Sequence, residues 1–166
     1  VHGYHVNSAK ILESKSTSKP GTLLKGSDLE ILIASVDYDL TLYRDMNAEL
    51  YAAATENDGD KALLCLANGA DINQRNGRGW TPLIVASFNG AERVLEILLE
   101  NGADIDMPNY RGTSPLMYAM TNYENTKNRL AFDMLIKFGA DKYLRDNHGL
   151  TIHDYAKKRN VLGLFD

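Results

Sequence analysis

The sequence predicts an all-α solenoid, a stack of short helical units, because two strings recur along it in phase. Gly-Ala-Asp begins at residues 69, 102 and 139, so its steps are 33 and 37 residues. Gly-x-x-Pro-Leu begins at residues 79 and 112, and a degenerate copy at 149 keeps the same two steps. A stride that two strings share indicates units that each bury an apolar side against the next.

The residue types in the second unit predict two helices and a loop. Thr81 suits a helix N-cap, and Pro82 suits the first helical position, where its missing N–H costs nothing. Gly90 stands where this first helix must end and the chain must turn. The apolar residues within 94–99 predict a second helix with one buried side. Residues 104–112 then form a turn-rich hairpin finger.

Two less regular units flank this pattern. The first, from residue 47, has no Thr-Pro entry, and the last, residues 150–166, keeps the threonine but loses the proline. The last unit also has a polar outer side, as a terminal cap needs. We therefore expect about two full repeats between two cap-like units. The four extra residues of the 37-residue step fall within 122–129, where we expect them to lengthen the connection between two helices.

In these strings the chain resembles the ankyrin-repeat family, whose unit of about 33 residues carries a Thr-Pro-Leu-His-x-Ala core. Residues 81–86 read Thr-Pro-Leu-Ile-Val-Ala, and residues 114–119 read Ser-Pro-Leu-Met-Tyr-Ala. The likeness covers residues 47–166, which we assign to an ankyrin-repeat domain. It implies an ankyrin-repeat solenoid of helix-turn-helix units with β-hairpin fingers.

Residues 1–46 form a separate N-terminal arm or capping segment in this interpretation. The first 20 residues are mostly polar and are typical of a linker. Residues 37–42 alternate between polar and apolar as in a half-buried strand, whereas residues 29–36 fit either a strand or a helix. We expect this segment to cover the exposed core edge of the first unit. The alternative is that it is the tail of another domain.

Composition excludes several functional classes. The formal net charge of −4 argues against general binding to nucleic acid, and the sequence has no apolar run long enough to span a membrane. One cysteine, Cys65, can form no internal disulfide, which fits a reducing compartment. We therefore expect a cytoplasmic monomer that binds neither nucleic acid nor membranes.

No residue pattern indicates catalysis, a cofactor or a metal. His153 and Asp154 are neighbours on a helix and point in different directions, so they do not form a proton relay. His2 and His5 provide two of the roughly four ligands that a structural zinc needs. We expect a protein that is not an enzyme and that holds no cofactor or metal.

The resemblance implies a function in protein binding, because ankyrin-family partners usually dock on a concave face lined by the fingers and the first helices. Arginines and aromatic residues, the types enriched at binding hot spots, occupy these positions here. For Trp80 and Arg78 we weigh a basic-aromatic groove for a partner with acidic and apolar groups against simple packing of Trp80 on its neighbouring finger. The candidate partner-binding residues are Arg75, Arg78, Trp80, Phe88, Asn89, Tyr110, Arg111, Arg145 and His148.

The leading interpretation is a non-catalytic protein–protein interaction module. One alternative is a targeting or positioning domain of a larger enzyme whose catalytic part lies elsewhere. A second is an immunity or antitoxin-type inhibitor, which is a special case of protein binding. The identity of the partner does not follow from a fold.

Overall fold

The computed structural model describes residues 45–165. The predicted N-terminal segment, its strand-or-helix stretch at 29–43 and the pair His2 and His5 lie outside the described residues. Within 45–165 the structure is all-helical, with seven α-helices, one short 3-10 turn and no strand. The elements are α1 Met46–Glu56, α2 Gly59–Ala67, α3 Pro82–Asn89, α4 Glu92–Glu100, α5 Pro115–Thr126, α6 Leu130–Lys137, α7 Ile152–Lys158 and the 3-10 turn Leu162–Leu164.

The first helix of each unit begins at a side-chain cap. The hydroxyls of Thr81 and Ser114 accept hydrogen bonds from backbone N–H groups in the first turns of α3 and α5, and a proline follows each cap. Thr151 caps α7 in a reciprocal capping box with Asp154. The predicted Thr-Pro entry is therefore confirmed. The first unit uses Asp45 as its cap, so α1 begins one residue before the predicted start of the repeat domain.

The chain enters a left-handed conformation at the end of the first helix in every unit. The residues are Asn57, Gly90, Lys127 and Asn160, with φ between 55° and 67°. Their steps are 33, 37 and 33 residues, so the turn is part of the repeat. Asn57 also accepts hydrogen bonds from the N–H groups of Arg93 and Val94, which otherwise lack a side-chain cap at the start of α4.

The four extra residues of the third unit lie in a helix, and the prediction that they lengthen a connection is wrong. Helix α5 has 12 residues where its equivalent α3 has eight. The left-handed turn follows one residue after each helix, at Lys127 and Gly90 respectively. The insertion therefore adds about one helical turn, at 3.6 residues per turn.

The helices pack in two rows along the chain. First helices α1, α3, α5 and α7 contact one another in sequence, and second helices α2, α4 and α6 do the same. The core between the rows includes Leu50, Leu83, Leu95 and Leu116, all fully or almost fully buried. Burial of each leucine contributes about 1.5–3 kcal/mol. The first unit is a complete helix pair, so it is less cap-like than its sequence suggests.

A side-chain oxygen accepts the backbone N–H of each aspartate in the Gly-Ala-Asp string, from the preceding finger in two cases and from helix α1 in the first unit. The side-chain oxygens of Asn47, Asn73 and Asp106 accept the N–H groups of Asp71, Asp104 and Asp141 at 2.8–2.9 Å. The three donors are the aspartates of the recurring Gly-Ala-Asp string. Their side chains accept the N–H groups two residues further on, at 2.7–3.1 Å, and this contact gives the recurring aspartate its structural role.

Candidate functional site

Three finger loops share one geometry, set by an Asn or Asp at the start of each tip. The side-chain oxygens of Asn76, Asn109 and Asp146 each accept two backbone N–H groups, from the residues two and four positions further on, at 2.9–3.1 Å. One backbone hydrogen bond of 2.9–3.1 Å then closes each loop. The fingers are hairpins too short to be assigned as strands. The residues held two positions after the acceptors are Arg78, Arg111 and His148.

Neighbouring fingers contact each other directly. The Arg75 guanidinium donates to the carbonyl of Pro108 at 2.9 Å, and the backbone N–H of Asn147 donates to the carbonyl of Arg111 at 3.0 Å. Gly79 shows how close the first contact is, because a Cβ there would lie 2.6 Å from the ring of Tyr110. The three tips therefore form one row.

Tyrosines on the first helices hold the fingers from below. The Tyr51 hydroxyl donates to the carbonyls of Gln74 and Trp80, and burial raises the pKa of this phenol to about 12. The Tyr118 hydroxyl accepts from the Asn109 side chain at 2.9 Å. The backbone of each loop is thus tied to the helical rows.

The last finger is held by a charged hydrogen bond. The Tyr155 hydroxyl donates to the buried Asp146 carboxylate at 2.5 Å. Burial by itself would raise the pKa of Asp146. Hydrogen bonds from Tyr155 and from the backbone N–H groups of Leu150 and His148 outweigh burial, and the pKa lies below its usual value. The same hydrogen bond raises the pKa of Tyr155.

Trp80 lies in an aromatic cluster that joins a finger to two first helices. Its ring centroid is 4.6 Å from that of Tyr118 and 5.5 Å from that of Phe88, with tilted or edge-on planes typical of stable aromatic pairs. The indole is half-buried, and Phe88 remains 37 % exposed. The aromatic residues were predicted as binding residues, and the structure shows that Trp80 also stabilises the fold.

The remaining predicted residues divide into those engaged within the chain and those that face outward. Arg75 holds the next finger and lies 5.7 Å from the Tyr110 ring centroid, Asn89 donates to the carbonyl of Val85, and Arg145 donates to the carbonyl of Gly149. These three side chains support the surface, although Asn89 and Arg145 are themselves exposed. The side chains exposed on the finger tips are Arg78, Tyr110, Arg111 and His148.

Sequence reasoning missed the tyrosines that anchor the fingers. Tyr118 and Tyr155 are 37 residues apart, the stride of the third unit, and this recurrence was the available signal. It also missed Asn122, a buried side chain in α5 that donates to the carbonyl of Phe88 at 3.0 Å. Its counterpart one stride earlier, Asn89, donates within its own helix, so the contact that Asn122 makes with the second unit follows from the structure alone.

The residues weighed for catalysis have structural contacts. The His153 ring stacks on Phe165, with centroids 4.1 Å apart, whereas the Asp154 carboxylate accepts from the N–H and hydroxyl of Thr151. Cys65 is buried, and burial raises its pKa, which disfavours the reactive thiolate. Within residues 45–165, no three His, Cys, Asp or Glu side chains are grouped as metal ligands. The helices described there are all too short or too polar to cross a bilayer.

Two comparisons with known proteins place this geometry in a family. A stretch of 53 residues, 32 % of the chain, is 40 % identical to part of a mitochondrial disaggregase from Bos taurus. That stretch spans 8 % of the length of the disaggregase, so the likeness is confined to a small part of that protein. A family model described as ankyrin repeats (3 copies) matches residues 50–146, more than half of the chain. With its repeat period, its paired helices and its finger loops, the chain belongs to the ankyrin-repeat family.

Proposed function

We propose that the chain is a non-catalytic module that binds a partner protein on the face formed by its finger tips and first helices. Ankyrin repeats generally mediate protein–protein interaction. The observation that carries the proposal is the row of outward side chains on mutually fixed fingers. Arg78, Tyr110 and Arg111 are exposed, while side-chain and backbone hydrogen bonds fix the loops that carry them.

A rigid surface favours binding because less conformational entropy is lost on association. Here the backbone of each tip is fixed by an Asn or Asp side chain and by the neighbouring finger. Tyr110 is 61 % exposed, and Phe88 lies beside Trp80 at the base of the first finger. Exposed tyrosine and arginine on a rigid support are the residue types that contribute most at protein interfaces.

Affinity capture with matched variants tests the proposal. The test variant is Arg78→Ala/Tyr110→Ala/Arg111→Ala, and the control is Glu96→Ala/Glu100→Ala/Lys137→Ala on the exposed sides of the second helices α4 and α6. Both should keep the wild-type circular dichroism spectrum, since all six side chains are exposed. We expect partners to be lost with the first variant and kept with the second. Equal capture by both variants would place binding on another face.

A second proposal is that the module positions a larger protein. It rests on the short match to the disaggregase, in which the shared stretch is a small part of a long chain. An antibody raised against residues 45–165 should then detect a polypeptide clearly larger than 18.4 kDa in the source cells. A single band at 18.4 kDa would contradict it and would leave the binding proposal intact.

A further inference from the structure

We propose that the partner presents an acidic, extended segment that lies across the row of finger tips and pairs with Arg78 and Arg111. This inference rests on the proposed function and names the chemistry of the partner. An inhibited enzyme and a scaffold protein would be equally suitable carriers of such a segment. The claim concerns the charge, shape and position of the bound segment.

The distribution of charge provides the first support. The tips of the three fingers, residues 74–80, 107–113 and 144–150, contain four arginines and a single carboxylate, Asp146, whereas Asp71, Asp104, Asp106 and Asp141 stand one to three residues before them. The Asp146 carboxylate is buried and occupied by its hydrogen bonds. The whole chain has a formal net charge of −4, so the positive charge of the tips is a local feature. Such a local field attracts an anionic segment to one part of the surface.

The ion pairing of the other arginines provides the second support. Arg93, Arg129 and Arg159 each pair with a carboxylate of the chain, at 2.6–2.8 Å. Within the described residues, neither Arg78 nor Arg111 lies within ion-pair distance of a carboxylate. Arg75 and Arg145 donate to backbone carbonyls, so among the arginines of residues 45–165 the two tip arginines are the ones left available for carboxylates of a partner.

The register of the tips sets the spacing that the segment needs. Arg78 and Arg111 occupy the same place in successive fingers, each two residues after its Asn. Packed helices lie about 8–10 Å apart, and we take this as the step between units. An extended chain in the polyproline II conformation rises about 3.1 Å per residue with three residues per turn, so acidic residues at every third position lie on one face and match the step.

A binding measurement on the full chain tests this inference. The probe is a fluorescein-labelled peptide of four Glu-Gly-Ser units, followed by fluorescence anisotropy at low salt. The test variant is Arg78→Glu/Arg111→Glu, and the control is Lys137→Glu/Lys158→Glu on exposed positions of α6 and α7, which changes the net charge equally away from the tips. The comparison probes are the Gln-Gly-Ser peptide, a Glu-Gly-Ser peptide with its glutamates moved to one end, and a single-stranded oligonucleotide of similar charge.

We expect the test variant to bind the glutamate peptide at least about tenfold more weakly than wild type, because two exposed pairs of up to about 1 kcal/mol each are replaced by repulsion. The control should stay within about twofold. Binding should weaken with added salt and with clustered glutamates. Equal binding by the test variant and the wild type, no binding of the glutamate peptide, or tighter binding of the oligonucleotide would each overturn the inference. If captured partners still depended on the finger tips, the proposed function would survive that failure.

Discussion

The second and third repeat units share their helix starts, their finger geometry and their contacts to neighbours, yet they differ in length by one helical turn. Helix α3 ends at Asn89 and turns at Gly90, whereas α5 continues to Thr126 and turns at Lys127. The fingers before and after α5 keep the same hydrogen bonds. The comparison teaches that the caps and fingers set the register of this stack, while the far ends of the helices are free to vary.

The end of α5 and the turn after it contact both neighbouring units. The Asn122 side chain donates to the carbonyl of Phe88, and the Asn128 side chain donates to Glu92 at 2.8 Å, both in the second unit. Glu124 pairs with Arg159 of the last unit at 2.6 Å. The longer helix is therefore held by contacts with the units on both sides.

The largest expected effect is the loss of stability when an equivalent buried leucine is replaced by alanine in the second and in the third unit. Leu98 and Leu135 are equivalent and fully buried. Helix α4 packs between α2 and α6, whereas beyond α6 the chain provides the 3-10 turn, through Phe165 on Phe132. We expect Leu98→Ala to cost about 3–5 kcal/mol in urea unfolding and Leu135→Ala about 2–3, because the outer site can collapse. Equal costs would show that the two units are packed alike.

A smaller loss of stability is expected when a glycine is replaced by alanine in a finger that has a following neighbour, compared with the last finger. A Cβ on Gly112 would lie 2.7 Å from the backbone nitrogen of Asn147, whereas one on Gly149 would meet nothing within 4 Å. Both glycines have positive φ. Gly149→Ala should cost the strain alone, about 1–2 kcal/mol, and Gly112→Ala about 3 kcal/mol. The measurement is the free energy of unfolding, and similar values for both would mean that the fingers move apart easily.

Removing the insertion tests the comparison itself. Deletion of residues 123–126 makes the third unit 33 residues long and places Asn122 directly before the left-handed turn, as Asn89 precedes Gly90. The variant should fold with a loss of about 1–2 kcal/mol, because the Glu124–Arg159 pair and hydrogen bonds of the extra turn are removed. Thermal unfolding followed by circular dichroism measures this. A chain that fails to fold would show that the extra turn sets the register after all.

The smallest effect concerns pH and the last finger. The pKa of Asp146 is lowered on folding, so its carboxylate stabilises the fold above the usual aspartate pKa of about 3.9, and this contribution is lost as pH falls through the lower folded value. Asp146→Asn places in the last finger the residue found at Asn76 and Asn109. It should cost about 1 kcal/mol at neutral pH and flatten the acid side of the stability profile.

The reverse exchange, Asn109→Asp, is the matched control for the Asp146 prediction. It should add acid sensitivity to the middle finger, where Tyr118 stands in the place of Tyr155. Stability of each variant is followed by urea unfolding between neutral pH and about pH 3. An Asp146→Asn protein that loses stability in acid as steeply as wild type would exclude the Tyr155–Asp146 contact as the cause.

Much of the fold follows from the sequence because its signals are local. Thr81, Pro82 and Gly90 act within one helix, and their roles hold in the structure. The prediction that the insertion lies in a connection was wrong because residues 122–128 contain asparagine, threonine and lysine, which suit either a loop or a helix end. Within the extra turn, Glu124 pairs with Arg159 of the last unit, and no local pattern reports such a contact.

The place of the candidate residues on the fingers was predictable from the sequence, whereas their contacts were less so. The repeat places Arg75, Arg78 and Trp80 on the first finger, and the structure confirms that location. The sequence does not show that Arg75 and Trp80 are used within the chain, because their partners Pro108 and Tyr118 come from the next unit. Only the contacts between units, which the structure provides, distinguish the residues that support the fingers from those that are exposed.

The way in which each finger tip is held has a consequence for specificity. The Asn or Asp that opens a tip bonds to main-chain groups, so the loop keeps its shape whichever side chain stands two residues later. Arg78, Arg111 and His148 already show two residue types in that place. A substitution at this position should therefore change the exposed side chain of one tip without changing the shape of its loop.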